Sequence, residues 1–147
     1  MVNMEHIVID ATDLIVGRLA TKVAKLALLG NKITVLNCEK AVFSGKQPIL
    51  LSKWKVRMKR VQPFKGPFIP RMADRIMKFV IRGMLPHGYW SEGRRGRMAL
   101  GRVMCYIGTP EQFKTAKLTK IEGADASGLY TKHMLTVGEM VRLLRGG

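Results

Sequence analysis

The chain has 147 residues, 26 of them Lys or Arg and 10 Asp or Glu, for a formal net charge of +16. That length suits one domain over residues 1–147, and a hydrophobic content of 47% excludes a disordered basic tail. No apolar run exceeds five residues, against the ~20 that cross a bilayer, so the composition points to a polyanion partner, not a membrane.

In chain order, His6 to Asp10 (HIVID) is β-branched and predicts the first strand. Ala11 to Asp13 reads as a polar turn, with Asp13 as helix N-cap and Asp10 as the strand end. From Ile15 to Leu29, Val16, Leu19, Ala20, Val23, Leu26 and Ala27 recur at helical spacing, and Gly30-Asn31 closes the helix. Ile33 to Asn37 predicts a second strand, which makes a βαβ unit with parallel pairing and a right-handed crossover. Ala41 to Ser44 is expected to extend that strand before Gly45 turns the chain into a helix. On this helix Leu51, Trp54, Met58 and Val61 form an apolar seam among Lys53, Lys55, Arg57, Lys59 and Arg60.

PFKGPFIP (Pro63 to Pro70) predicts a stiff exposed linker. A helix follows from Arg71 to Gly83, with Arg71, Arg75, Lys78 and Arg82 on one stripe and Met72, Ile76, Phe79 and Val80 on the neighbouring apolar surface. Gly88 to Gly101 reads as an Arg-rich loop leading to a short helix. Val103 to Ile107 is a third strand, Gly123 to Gly128 a loop, and Val137 to Leu144 a closing amphipathic helix. The ten methionines are read as core filling.

Charge is concentrated, not spread. Residues 53–102 hold 14 Lys or Arg against 2 Asp or Glu, a net +12, while residues 1–52 and 103–147 carry +2 each. Such a block marks a binding face for phosphates. Beside it, His87, Tyr89 and Trp90 precede Arg94, Arg95 and Arg97, and aromatic and guanidinium planes can stack on unpaired bases. A core-packed Trp90 next to a solvated loop is the plain alternative. The candidate RNA-binding set is Lys46, Lys53, Lys55, Arg57, Lys59, Arg60, Lys65, Arg71, Arg75, Lys78, Arg82, His87, Tyr89, Trp90, Arg94, Arg95, Arg97 and Arg102.

Other chemistries fit poorly. Gly45-Lys46 lacks the phosphate-loop pattern, since Lys40 stands where its first Gly belongs and Gln47 where Ser or Thr belongs. Gly93 to Gly96 has the GxxG form of a KH loop, but the βαβ opening does not suit that module. His6, His87 and His133 are too far apart to suggest a metal site. Cys38 and Cys105 read as two buried free thiols in a reducing, intracellular compartment. No basic segment with an apolar core opens the chain, so no secretory leader is expected. No nucleophile, base and orienting group assemble at local spacing. The expectation is therefore no enzyme, no cofactor and no small-molecule substrate.

Four ordered blocks carry a resemblance: VIDA with VGRLA (Val8 to Ala20), NCEKAVFSGK (Asn37 to Lys46), IRGMLP (Ile81 to Pro86), and GR with RVMCYIGTP (Gly101 to Pro110). With the ending LTVGEMVRLL, they resemble the universal large-subunit ribosomal protein L-thirteen family, in its archaeal and eukaryotic-type branch. Cys38 stands where many members have Ala. The resemblance implies an α/β chain folded as three α/β/α layers on a small, mainly parallel four-stranded sheet, with the basic helices and Arg-rich loop appended. It also implies a structural, cytoplasmic role in the large subunit: binding its RNA early in assembly, beside neighbouring ribosomal proteins. A DNA-binding or chromatin-type protein is the competing class, although no helix-turn-helix, zinc finger or basic zipper is present.

Overall fold

The first strand, β1 (His6–Asp10), runs through helix α1 (Val16–Leu28) into β2 (Lys32–Leu36), and the two strands pair in parallel with Ile9 opposite Val35. The expected βαβ unit is present in the computed structural model, which describes residues 5–87 and 93–146. Helix α1 buries Val16, Leu19, Ala20, Val23, Ala24 and Ala27 along one stripe. Its end is a left-handed Gly30 (φ 103°), with Gly30 N–H donating to the Ala27 carbonyl and Asn31 N–H to that of Leu26. That double closure is why the helix stops there.

Strand β4 (Val103–Cys105) joins β2, and β5 (Leu118–Thr119) joins the other side of β1, giving a four-stranded parallel sheet of order β4-β2-β1-β5. One face carries Ile9, Ile33, Val35 and Val103 into the main core. Helices α1, α3 (Ala73–Gly83) and α4 (Gly93–Gly101) pack together on that core, and α3 also touches β4. The opposite face presents His6, Val8 and Thr34. The imidazole of His6 hydrogen-bonds Thr34 Oγ1 at 2.9 Å and stacks edge-on against Phe113, in a 3-10 turn at Glu111–Phe113. The fold is thus α/β with three layers, one outer layer being much the thinner.

Several local expectations are corrected. Asp13 is not the N-cap of α1. Ile15 N–H donates to the Ala124 carbonyl and Ala126 N–H to that of Asp13, so residues 13–15 pair with the 124–126 segment before the helix starts, and Asp13 takes φ 57°. Residues 41–44 do not extend β2. A left-handed Asn37 and a 3-10 turn at Cys38–Lys40 redirect the chain, and β3 (Val42–Ser44) pairs antiparallel with β6 (Met134–Thr136) in a separate two-stranded sheet. Strand β4 ends at Cys105, two residues early. Helix α3 starts at Ala73, leaving Arg71 and Met72 ahead of it, and its buried residues are Ala73, Ile76, Met77 and Ile81, with Phe79 and Val80 only half-buried. Of the methionines, Met77 and Met140 are buried, whereas Met72, Met84, Met98, Met104 and Met134 are exposed. Unbranched thioethers line the surface here as well as filling the core.

Helix α5 (Val137–Leu144) has the expected bounds and a full capping box, in which Thr136 Oγ1 accepts from Glu139 N–H at 3.2 Å and Glu139 Oε2 from Thr136 N–H at 3.4 Å. Cys38 is buried and Cys105 half-buried, both unbridged. The neighbouring Cys105 thiol and burial together push the Cys38 thiol far above its ordinary range, which makes it an inert packing group.

Candidate nucleic-acid interface

Helix α2 (Gln47–Lys59) opens with Pro48 in its first turn, where a missing N–H costs nothing. It buries a single residue, Trp54, whose ring lies 6.4 Å from that of Phe43 on β3 and 6.1 Å from that of Phe79 on α3. The expected seam is therefore one anchor: Leu51, Met58 and Val61 are only half-buried. The reason is position, since α2 lies at the margin of the molecule and leans on α5. Lys53, Lys55, Arg57, Lys59 and Arg60 are all exposed, and the Arg57 guanidinium sits 5.5 Å from the centre of the Trp54 ring.

On α3, Arg75 and Arg82 are exposed and Lys78 half-buried, on the side of the helix opposite Ile76, Met77 and Ile81. The Trp54–Phe79 contact brings this helix beside α2. Arg94, Arg95 and Arg97 are exposed too, but on helix α4, not on the loop expected from their Gly-rich surroundings. The glycine that suggested a loop, Gly96, is buried, and a methyl group there would collide with the Pro86 carbonyl. Gly96 lets α4 lie close against Pro86, at the end of the IRGMLP block. In that block Leu85 is buried, and Met84 Sδ accepts a hydrogen bond from Thr21 Oγ1 at 3.1 Å.

The remaining candidates divide. Lys46, at the head of α2, and Lys65 and Arg71, between α2 and α3, are exposed. His87 is exposed, and its Nδ1–H donates to the Leu85 carbonyl at 2.8 Å, which leaves Nε2 outward. Arg102 is half-buried and donates to the Ala27 carbonyl at 3.3 Å, so it helps to close α1. Tyr89 and Trp90 lie outside the described residues.

The electrostatics of this surface are one-sided. Residues 40–73 contain no Asp or Glu at all. Among the described residues the sole ion pair is Lys114–Glu111, at 3.8 Å and on the surface elsewhere. Neither α2 nor α4 has an acidic residue in its first turn. The cations on α2, α3 and α4 face solvent without a neutralising carboxylate among the described residues.

The other charged region is built in the opposite way. At the carboxyl ends of β1 and β2, Asp10 Oδ1 accepts from Thr12 N–H (3.1 Å), Thr12 Oγ1–H (2.7 Å) and Asn37 Nδ2–H (2.9 Å). Glu39 Oε2 accepts from Gly108 N–H at 3.0 Å, and Thr109 Oγ1 donates to Asn37 Oδ1 at 3.3 Å. Burial pushes the Asp10 carboxyl upward, but the hydrogen bonds from Asn37 and Thr12, with Lys40 nearby, outweigh it and hold it below its ordinary value. Beside this network a cavity of about 350 Å³ is lined by Asp10, Thr12, Lys120, Glu122 and Asp125 among others. Such a crevice is where open α/β sheets commonly bind ligands, but its carboxylates repel phosphate.

Comparison with known proteins settles the lineage. Residues 4–112 match the family model described as Ribosomal protein L13. The chain is 42% identical over 138 residues to large ribosomal subunit protein uL13 of Methanopyrus kandleri, covering 92% of this chain and 84% of that one. It is 38% identical over 137 residues to uL13 of Methanococcoides burtonii (93% and 96% covered) and 36% identical over 148 residues to uL13 of Aeropyrum pernix (97% and 92%). The chain belongs to the ribosomal protein L13 family. These relatives are archaeal, in keeping with the expected branch.

Membership of the L13 family gives the blocks a physical reading. Asp10, Asn37, Glu39, Gly108 and Thr109 come from three of the four blocks and hold one another. The L13 signature is thus partly the glue of the sheet's carboxyl edge, set apart from the cationic helices. Sequence reasoning missed two exposed aromatics in the Pro63 to Pro70 stretch, Phe64 and Phe68, which are 97% and 73% exposed. Their signal was present: two Phe at the centre of a stretch without acids.

Proposed function

We propose that this protein is a structural, non-catalytic constituent of the large ribosomal subunit, folding as one unit and binding folded large-subunit RNA through the exposed cations of α2, α3 and α4. The observation that carries the reading is the net +12 of residues 53–102, most of whose cations lie on α2, α3 and α4 and form no ion pair among the described residues. A surface charge kept for solubility would be interspersed with carboxylates. Cations held apart from carboxylates retain their full attraction for phosphate and release counterions when RNA arrives. The reading extends to early entry into the assembling subunit, contacts with neighbouring ribosomal proteins, and a cytoplasmic, ribosome-bound location. Among the described residues, no helix is long and apolar enough to cross a membrane.

Competition tests it. At moderate salt, folded large-subunit RNA should displace labelled RNA from the purified protein far better than an equal mass of duplex DNA. Native protein should also sediment with the large subunit. Equal competition by DNA, with no protein in the large-subunit fraction, would transfer the same surface to the DNA-binding class.

A further inference from the structure

Two phenylalanines stand in solvent at the edge of the cationic surface. Phe64 lies inside the turn closed by Gly66 N–H donating to the Gln62 carbonyl at 3.2 Å, which puts its ring at the tip. Gly66 adopts φ +71°, and the Phe68 ring lies over it, within 3.3 Å of where a Cβ would stand. Only glycine meets both demands. Phe68 also borders a recess of about 180 Å³ with Met58, Val61, Ile69 and Arg71. The two rings are displayed by local backbone geometry, not left over from a core.

Their surroundings define what they can meet. Arg57, Lys59, Arg60, Lys65 and Arg71 flank them in sequence, and the nearest acids along the chain are Glu39 and Asp74. An apolar partner surface alone would leave those cations unmatched. A strand of RNA with unpaired bases supplies both halves, flat π-faces and flanking phosphates, in the alternation the segment presents.

We infer that Phe64 and Phe68 form a stacking platform for unpaired nucleobases, with Lys65 and Arg71 holding the adjoining phosphates. The inference rests on the RNA-binding reading of α2 to α4 and adds to it a preference for single-stranded or looped RNA at this edge. Stacking is not electrostatic, so the rings should govern affinity without governing its salt dependence.

The test uses the full chain and two RNA probes: a short single strand carrying 2-aminopurine, and a blunt duplex of the same length. The double variant Phe64→Ala/Phe68→Ala should keep the wild-type melting temperature, because both rings are exposed. It should lose about tenfold or more in single-strand affinity, together with the 2-aminopurine quench, while duplex affinity and the salt slope stay as in wild type. The control Arg75→Ala/Lys78→Ala/Arg82→Ala should weaken both probes and flatten the slope. If the control behaves so but the Phe variant keeps wild-type single-strand affinity and quench, the rings meet a protein instead, and the platform is refuted alone. If neither variant changes RNA binding, the broader reading falls and the platform with it.

Discussion

Helices α2 and α5 pack on one another, yet they are stabilised in opposite ways. The shorter, α5, is internally braced: it has a capping box, buries Val137 and Met140, and sets Gly138 so close to the Glu39 carbonyl that an added Cβ would stand 3.1 Å from its oxygen. The longer, α2, has no side-chain cap, no acid at its positive end, one buried residue and a row of like charges. Each of those features costs stability in the free protein, through an unmatched dipole, orphan N–H groups and mutual repulsion. On the proposed reading, RNA would supply the contacts that α2 lacks in the free protein. The same contrast separates Asp10 and Glu39, satisfied by hydrogen bonds, from the exposed cations of α2, α3 and α4.

The largest effect should come from cutting the anchor of α2. Trp54→Ala leaves Phe43 and Phe79 facing a void and should cost about 3–5 kcal/mol in denaturant unfolding. A loss below about 1 kcal/mol would mean that α2 is held by something other than Trp54. Next, Gly96→Ala forces a methyl against the Pro86 carbonyl and should cost about 1–3 kcal/mol, read as a lower melting temperature. If it stabilises instead, as expected for Ala in an unhindered helix, α4 does not pack as closely as described.

A smaller effect sharpens the contrast directly. Thr136→Ala removes the cap of α5 and should destabilise by about 1 kcal/mol without touching RNA affinity. Lys46→Ser gives α2 the kind of cap it lacks and should stabilise the free protein by a few tenths to about 1 kcal/mol, while RNA binding weakens by one phosphate contact. Opposite signs in folding and binding for the α2 change alone are the expected signature. The smallest effect is that of pH. The folded-state pKa of Asp10 lies below its unfolded value of about 3.9, so its contribution is present above that value and is lost as pH falls through the lower folded-state one. Acid unfolding of Asp10→Asn should therefore be less steep below about pH 4 than that of the wild type.

What could be read from the sequence follows from the range of each interaction. HIVID, the α1 stripe, Gly30 and ITVL are local patterns, and the βαβ unit and α5 came out within a residue or two. The pairing of β3 with β6 joins three-residue strands about ninety positions apart, and no local period announces it. Asp13 looked like a cap because its pairing partner, residues 124–126, is equally remote. Gly96 misled by type: glycine signals a loop, but here it serves a close helix contact that only the fold creates. At the site, charge concentration was legible, whereas which cations point outward was not. Arg102 carries the same charge as Arg97 yet turns inward to Ala27. Phe64 and Phe68 lie in the stretch read as an exposed linker, and their exposure agrees with that reading; what the sequence did not signal was that the rings stand at the edge of the cationic surface.

The central claim is that the exposed cations of α2, α3 and α4, which form no ion pair among the described residues, are kept for RNA, and its most direct test is the slope of log affinity against log salt for large-subunit RNA. Wild type should show a steep negative slope, about −0.7 to −0.9 for each phosphate neutralised. Arg94→Ala/Arg95→Ala/Arg97→Ala should flatten it by about 2–3 and weaken binding at least tenfold at low salt. Its stability should change by no more than about 0.5 kcal/mol per site. A shallow wild-type slope, or a triple variant that unfolds while its residual folded fraction binds RNA with an unchanged slope, would contradict the account.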